Sequence, residues 1–160
     1  MKKRTFAMAF GVALCATVKA SDPGVDPSKN LEDAMENVAA LARETVPLAK
    51  QEFAVLTAKY KGDRYKNLIA RIDAPVEMSE GVGSEKNLSR FRERLEAKDR
   101  LFVADEVLGV INQLRGLDGV MLAEAVAGSA QEDRLLTLYQ REEAALFHLE
   151  LAHQNWEGAP

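Results

Sequence analysis

The stretch from Ser129 to Trp156 constrains the fold more than any other part of this 160-residue chain. Ser129-Ala130-Gln131-Glu132 has the form of a capping box, in which the serine hydroxyl serves the glutamate amide and the glutamate side chain reaches back. Leu135, Leu138, Glu142, Ala145, Leu149, Ala152 and Trp156 follow at alternating steps of three and four, and Gly158 closes the run. That spacing lines one side of a helix, and such a seam is covered by another helix. Alanine, leucine, glutamate and arginine are frequent and aromatics make up only 6%, a balance that favours helix over sheet. The expected fold is all-α: an up-down helical bundle of about four main helices with one or two short extra ones. No repeat points to a solenoid.

Upstream, Leu31, Met35, Val38, Ala42, Ala49, Phe53 and Leu56 recur at helical spacing from near Asn30 to Gly62. Pro47 interrupts them and is expected to kink or break the helix, because it lacks an amide hydrogen and its ring crowds the preceding turn. Asp63 is placed to cap a short helix through Tyr65, Leu68, Ile69 and Ile72, with Asp73-Ala74-Pro75 as its stop. Val76 to Gly83 reads as a loop. Ser84 can cap a third long helix. Its first half is charged around a stripe of Leu88, Phe91 and Leu95, and its second half, Leu101 to Leu114, is apolar on nearly all sides and reads as buried. Gly116-Leu117-Asp118-Gly119 reads as a turn, and Val120 to Ala127 as a short helix before Gly128.

The N-terminus has a different character. Lys2, Lys3 and Arg4 precede an apolar run from Thr5 to Val18, and Val18-Lys19-Ala20 offers a peptidase site, so residues 1–20 read as a secretory signal peptide. The run falls short of the roughly 20 apolar residues that span a bilayer, so no stable membrane insertion is expected after cleavage near Ala20. Residues 21–30 read as a flexible leader and 31–157 as one helical domain. The only cysteine, Cys15, leaves with the signal, so the mature chain has no disulfide. Removing Lys2, Lys3, Arg4 and Lys19 leaves 17 basic against 25 acidic residues, a net charge of −8 compared with −4 for the whole chain. An acidic exported chain is a poor partner for nucleic acid or for anionic membranes. The periplasm is the expected location.

Catalytic signatures are missing. The chain has no Gly-x-Ser-x-Gly, no His-Glu-x-x-His and no Cys-x-x-Cys-His. Glu150-Leu151-Ala152-His153 is half of a di-iron motif, but the only other histidine, His148, has Ala145 where the second motif needs glutamate. His148 and His153 are separated by roughly 140° around a helix and cannot share an ion. The arginines at 90, 92, 94 and 100 alternate with acids, with Arg92–Glu96 and Glu96–Arg100 at i,i+4, so they read as a salt-bridged solvated face.

The two ends of the chain, Leu31-Glu32-Asp33-Ala34-Met35-Glu36 and His153-Gln154 with Trp156, resemble the ends of the small soluble periplasmic cytochromes that hold b-type haem without a covalent bond. That resemblance implies Met35 and His153 as axial ligands of a haem-binding electron carrier or sensor. Read from the residues themselves, the chain is a non-enzymatic exported bundle with no cofactor. It would bind another periplasmic or secreted protein or a small ligand. A small all-helical enzyme of the chorismate-mutase kind, using scattered Arg and Glu, is the other alternative.

Overall fold

The computed structural model describes residues 26–59, 62–63, 66–124 and 130–159. Residues 1–20, where a signal peptide is expected, Tyr65, the Ser129 end of the capping box and the side chains of Phe53, Leu56, Leu68, Ile69, Ile72, Glu132 and Leu135 lie outside what it describes. Among the described residues the fold is all-helical, with five helices: α1 (Pro27–Lys59), α2 (Lys66–Ser79), α3 (Glu85–Glu96), α4 (Arg100–Glu124) and α5 (Ala130–Glu157).

Helix α1 begins a turn earlier than its apolar spacing suggests, so residues 27–30 belong to the helix and not to a leader. Asp26 is the cause. Its Oδ1 accepts from the Ser28 amide at 3.0 Å and its carbonyl from the Asn30 amide at 2.9 Å. Pro27 then occupies the first helical position, where a missing amide hydrogen costs nothing. Helix α1 runs on through Pro47 without a break. Pro47 lies on the exposed side, so the carbonyl it leaves unpaired, that of Arg43, is also on the exposed side. Thr45, Val46 and Ala49, buried on the opposite side, hold the helix to the core.

Helix α2 likewise passes Pro75 and ends only at Ser79. Val76 packs with Val46, Ala49, Leu117 and Met121, and buried Ser79 donates its Oγ to the Gln113 carbonyl of α4 at 3.2 Å. These contacts extend the helix into what reads as a loop, which shrinks to a tight corner at residues 80–84. Arg43 Nε donates to the Gly83 carbonyl at 2.8 Å, and Asn87 Nδ2 to the Gly81 carbonyl at 2.8 Å. A Cβ on Gly83 would stand 2.8 Å from Arg43 Cγ and 3.1 Å from the Ala39 carbonyl oxygen, so the corner presses directly on α1.

Ser84 caps α3 as expected, accepting from the Asn87 amide at 3.3 Å, and Leu88, Phe91 and Leu95 are buried. The continuous third helix is not observed. Lys98 takes a left-handed conformation (φ 54°), and the amides of Lys98 and Asp99 close on the carbonyls of Leu95 and Arg94. Asp99 then caps α4, accepting from the Phe102 amide at 3.2 Å. The Gly116–Gly119 segment is helical, not a turn, and Val120 to Glu124 continue the same helix. Leu117 and Asp118 are buried within α4, and burying this side of the helix outweighs the helix-breaking tendency of two glycines. Leu101 and Leu108 correct the expectation of an all-round buried run, being 82% and 55% exposed.

The main core gathers Leu31, Met35 and Val38 of α1, Phe91 of α3, Val103, Val107 and Leu114 of α4, and Leu146, Leu149 and Trp156 of α5. Within the last seam, Leu138, Glu142, Ala145, Leu149, Ala152 and Trp156 are all buried. Helices α1 and α5 run in opposite directions: Arg141 pairs with Glu44 at 2.8 Å, while Asp26 to Ser28 lie beside Trp156. Arg90 and Arg92 of α3 bond across helices, and Arg92 also pairs within α3, with Glu85. Arg92 reaches Glu32 at 3.0 Å, Glu85 at 2.9 Å and also Glu36, and Arg90 reaches Glu106 of α4 at 3.1 Å. No helix among the described residues is long and apolar enough to cross a membrane.

Candidate functional site

Met35 and His153 both belong to the α1–α5 side of the molecule. With Glu44 paired to Arg141, and Asn37 sharing a groove with His148, Met35 falls level with Leu149 to Ala152, about one turn short of His153. Met35 is 3% exposed and packed into the main core. The His153 ring stacks on Trp156, with centroids 6.2 Å apart and planes inclined by 25°. Its Nε2 is buried without a hydrogen-bond partner among the described residues, and Glu157 Oε1 lies 3.6 Å away. That orphaned nitrogen is what a ligand role would need. Met35 shares one packed core with Trp156, however, so a macrocycle between Met35 and His153 would have to part that packing. His148, by contrast, is exposed. It lines an open groove of about 300 Å³ with Asn37, Leu41, Arg141, Ala144 and Ala145. Among the described residues no three metal-ligating side chains converge.

The buried polar chemistry lies elsewhere, where α4 meets α5. Asp118 and Glu142 are each 1% exposed, no other described group donates to their four carboxyl oxygens, and the two hydrogen-bond to each other only when Asp118 carries a proton to donate. Burial, reinforced by the neighbouring Glu142 carboxyl and then by Glu143, pushes Asp118 up to about 10. Asp118 is therefore a neutral acid at physiological pH, because two charges cannot share a site from which water is excluded. Both positions are readable in the sequence. Glu142 is the one carboxylate in the α5 seam, and Asp118 sits four residues after buried Leu114 and three before buried Met121. Reading Gly-Leu-Asp-Gly as a turn concealed the second.

The solvent side of the same two helices carries large apolar side chains among its charged and polar ones. Leu101 and Leu108 project from α4 seven residues apart, and Phe147 of α5 is 50% exposed. Arg115 ties the two helices, donating Nε to Glu143 at 3.3 Å and Nη1 to Glu150 at 3.2 Å. Phe147 lies between those glutamates on the α5 surface, one turn from each. A monomer gains nothing by leaving these three side chains in water, and apolar surface rimmed by charge is what contact faces present. Comparison with family models, with curated proteins and with solved structures returned no match.

Proposed function

We propose that the chain is an exported, periplasmic helical-bundle protein that works by binding another protein and not by catalysis. In this reading it is an up-down bundle of four columns, with α2 and α3 sharing the second column across their corner. Three pairs support that arrangement: Lys50 with Glu80, Arg43 with Gly83 and Arg92 with Glu32 and Glu36. From the end of α2 through the corner and along α3, each step forward meets a step backward along α1. Export rests on the basic and apolar pattern of residues 2–20. The observation that carries the binding role is the uncovered apolar strip of Leu101, Leu108 and Phe147.

The test has two parts. The full chain is expressed in a Gram-negative host, and the periplasmic form is sequenced from its N-terminus. A start at Ser21 is expected, and a full-length product confined to the cytosol overturns the export reading. The mature protein and a variant carrying Leu101→Ser, Leu108→Ser and Phe147→Ser are then compared as bait and by analytical centrifugation. Loss of association with an unchanged circular-dichroism melting curve supports the binding role. Identical behaviour of the two proteins removes it.

A further inference from the structure

We infer that the partner of the α4 face is a second copy of this chain, docked antiparallel about a two-fold axis. The inference rests on the binding reading above and names its occupant. Along α4 the exposed positions include Leu101, Asp105, Leu108, Asn112, Arg115 and Gly119. Their steps alternate four and three, the period of a helix packed against a helix, yet the strip faces water. Its order is also self-complementary. If the strip is laid against itself in reverse, Leu101 meets Gly119 of the second copy, Asp105 meets Arg115, and Leu108 meets Asn112.

Each layer occurs twice by symmetry, as an isologous interface requires. The outer layers join a large side chain to a bare backbone, and the next join opposite charges. The central layers set the short Asn112 amide against Leu108, and one polar residue in such a seam fixes register at some cost in affinity. Asp105 has no ion pair among the described residues, while Arg115 uses Nε and Nη1 on α5, leaving Nη2 directed to no described acceptor. Leu101, the most exposed of the large apolar side chains at 82%, would lie over Gly119. Nothing among the described residues requires that glycine. Among the described residues, a Cβ on Gly109, Gly116 or Gly119 would meet no atom beyond its own stretch of helix within 4 Å. A helix-interior glycine weakens its helix relative to alanine, so three of them on one helix serve no purpose in the isolated chain. Close approach of a second backbone gives one to Gly119, the glycine that lies on the strip. Phe147, held beside Arg115 by the two glutamates, would extend the contact at its edge.

The strip is about 27 Å long and one helix wide, which places the contact at the small end of specific interfaces. The dimer is therefore weak and concentration-dependent. Sedimentation velocity of the mature chain from low micromolar to near-millimolar concentration should show a monomer–dimer equilibrium. Asp105→Arg opposes two like-charged pairs, and so does Arg115→Glu, so each variant alone should lose self-association by at least tenfold. Mixed together, the two variants should associate. The arginine introduced at position 105 of one then faces the glutamate introduced at position 115 of the other, and the native Arg115 and Asp105 that remain face each other. Leu101→Lys, which disturbs no internal contact, should also abolish the dimer while the melting curve stays unchanged.

Mixed association of the two charge variants is diagnostic of the antiparallel two-fold arrangement. A monomer at all concentrations, or two variants that remain apart when mixed, overturns the inference. If the chain is monomeric but the serine variant still loses a different captured protein, only the identity of the partner was wrong. If neither is seen, the binding reading fails as well.

Discussion

Replacing Asp118 by asparagine is expected to stabilise the protein at alkaline pH and to leave it nearly unchanged at acid pH. In the folded chain Asp118 is 1% exposed beside the Glu142 carboxyl and is pushed from 3.8 up to about 10. Unfolded, it titrates as an ordinary carboxyl. Between those two values the folded state holds a proton that the unfolded state has released, so stability must fall as pH rises. The slope for one proton approaches 1.4 kcal/mol per pH unit, about 4 kcal/mol between about pH 5 and about pH 8. That is a large fraction of the roughly 5–15 kcal/mol that holds a domain together. Asparagine keeps the shape, carries no titrating proton and can donate to Glu142. Urea unfolding followed by circular dichroism over this pH range measures the effect. The wild type should lose stability steadily, and Asp118→Asn should flatten the profile and exceed the wild type by several kcal/mol at the alkaline end. A wild-type profile that is level or rising over this range would refute the argument, as would a variant less stable than the wild type at about pH 8.

Other outcomes follow from single residues. Ser84→Ala removes the acceptor for the Asn87 amide and should cost about 1 kcal/mol, read as a lower melting temperature. Lys98→Gly should gain about 0.5–1 kcal/mol, read as a higher urea midpoint, because φ 54° is strained for a side chain and free for glycine. Purified from a haem-replete host, or mixed with haem, the protein should show no Soret band. A band altered by Met35→Ala or His153→Ala would reverse the packing argument made from Trp156.

The helical class and most of the inward faces were legible because burial follows the helical period. Leu31, Met35, Val38, Ala42 and Ala49 on α1, the Leu88, Phe91 and Leu95 stripe, and the seam of α5 from Leu138 to Trp156 all point inward. Element boundaries were less legible where tertiary contacts overrule local signals. Pro75 reads as a stop, yet the packing of Val76 and Ser79 carries α2 beyond it. The break at Lys98 is invisible to periodicity, since charge and apolar pattern run straight through it. Its one marker is Asp99, a capping residue ahead of an apolar run. The carboxyl pair was hidden for a related reason. Two flanking glycines outweighed the spacing that places Asp118 on the buried side of α4. No local rule, moreover, brings residues 118 and 142 together before the two helices are paired.

The pairing of the first helix with the last sets an order of events. Glu44 and Arg141 are 97 residues apart, whereas the Arg90–Glu106 and Arg94–Asp99 pairs link near neighbours along the chain. Local contacts form early, and closing a long loop is deferred until enough chain exists to reward it. Leu31, Met35 and Val38 therefore complete their packing only with α5. A growing chain carries part of the apolar stripe of its first helix uncovered until its last thirty or so residues arrive. If the chain is exported as proposed, that delay would keep the core from locking before the C-terminus has emerged.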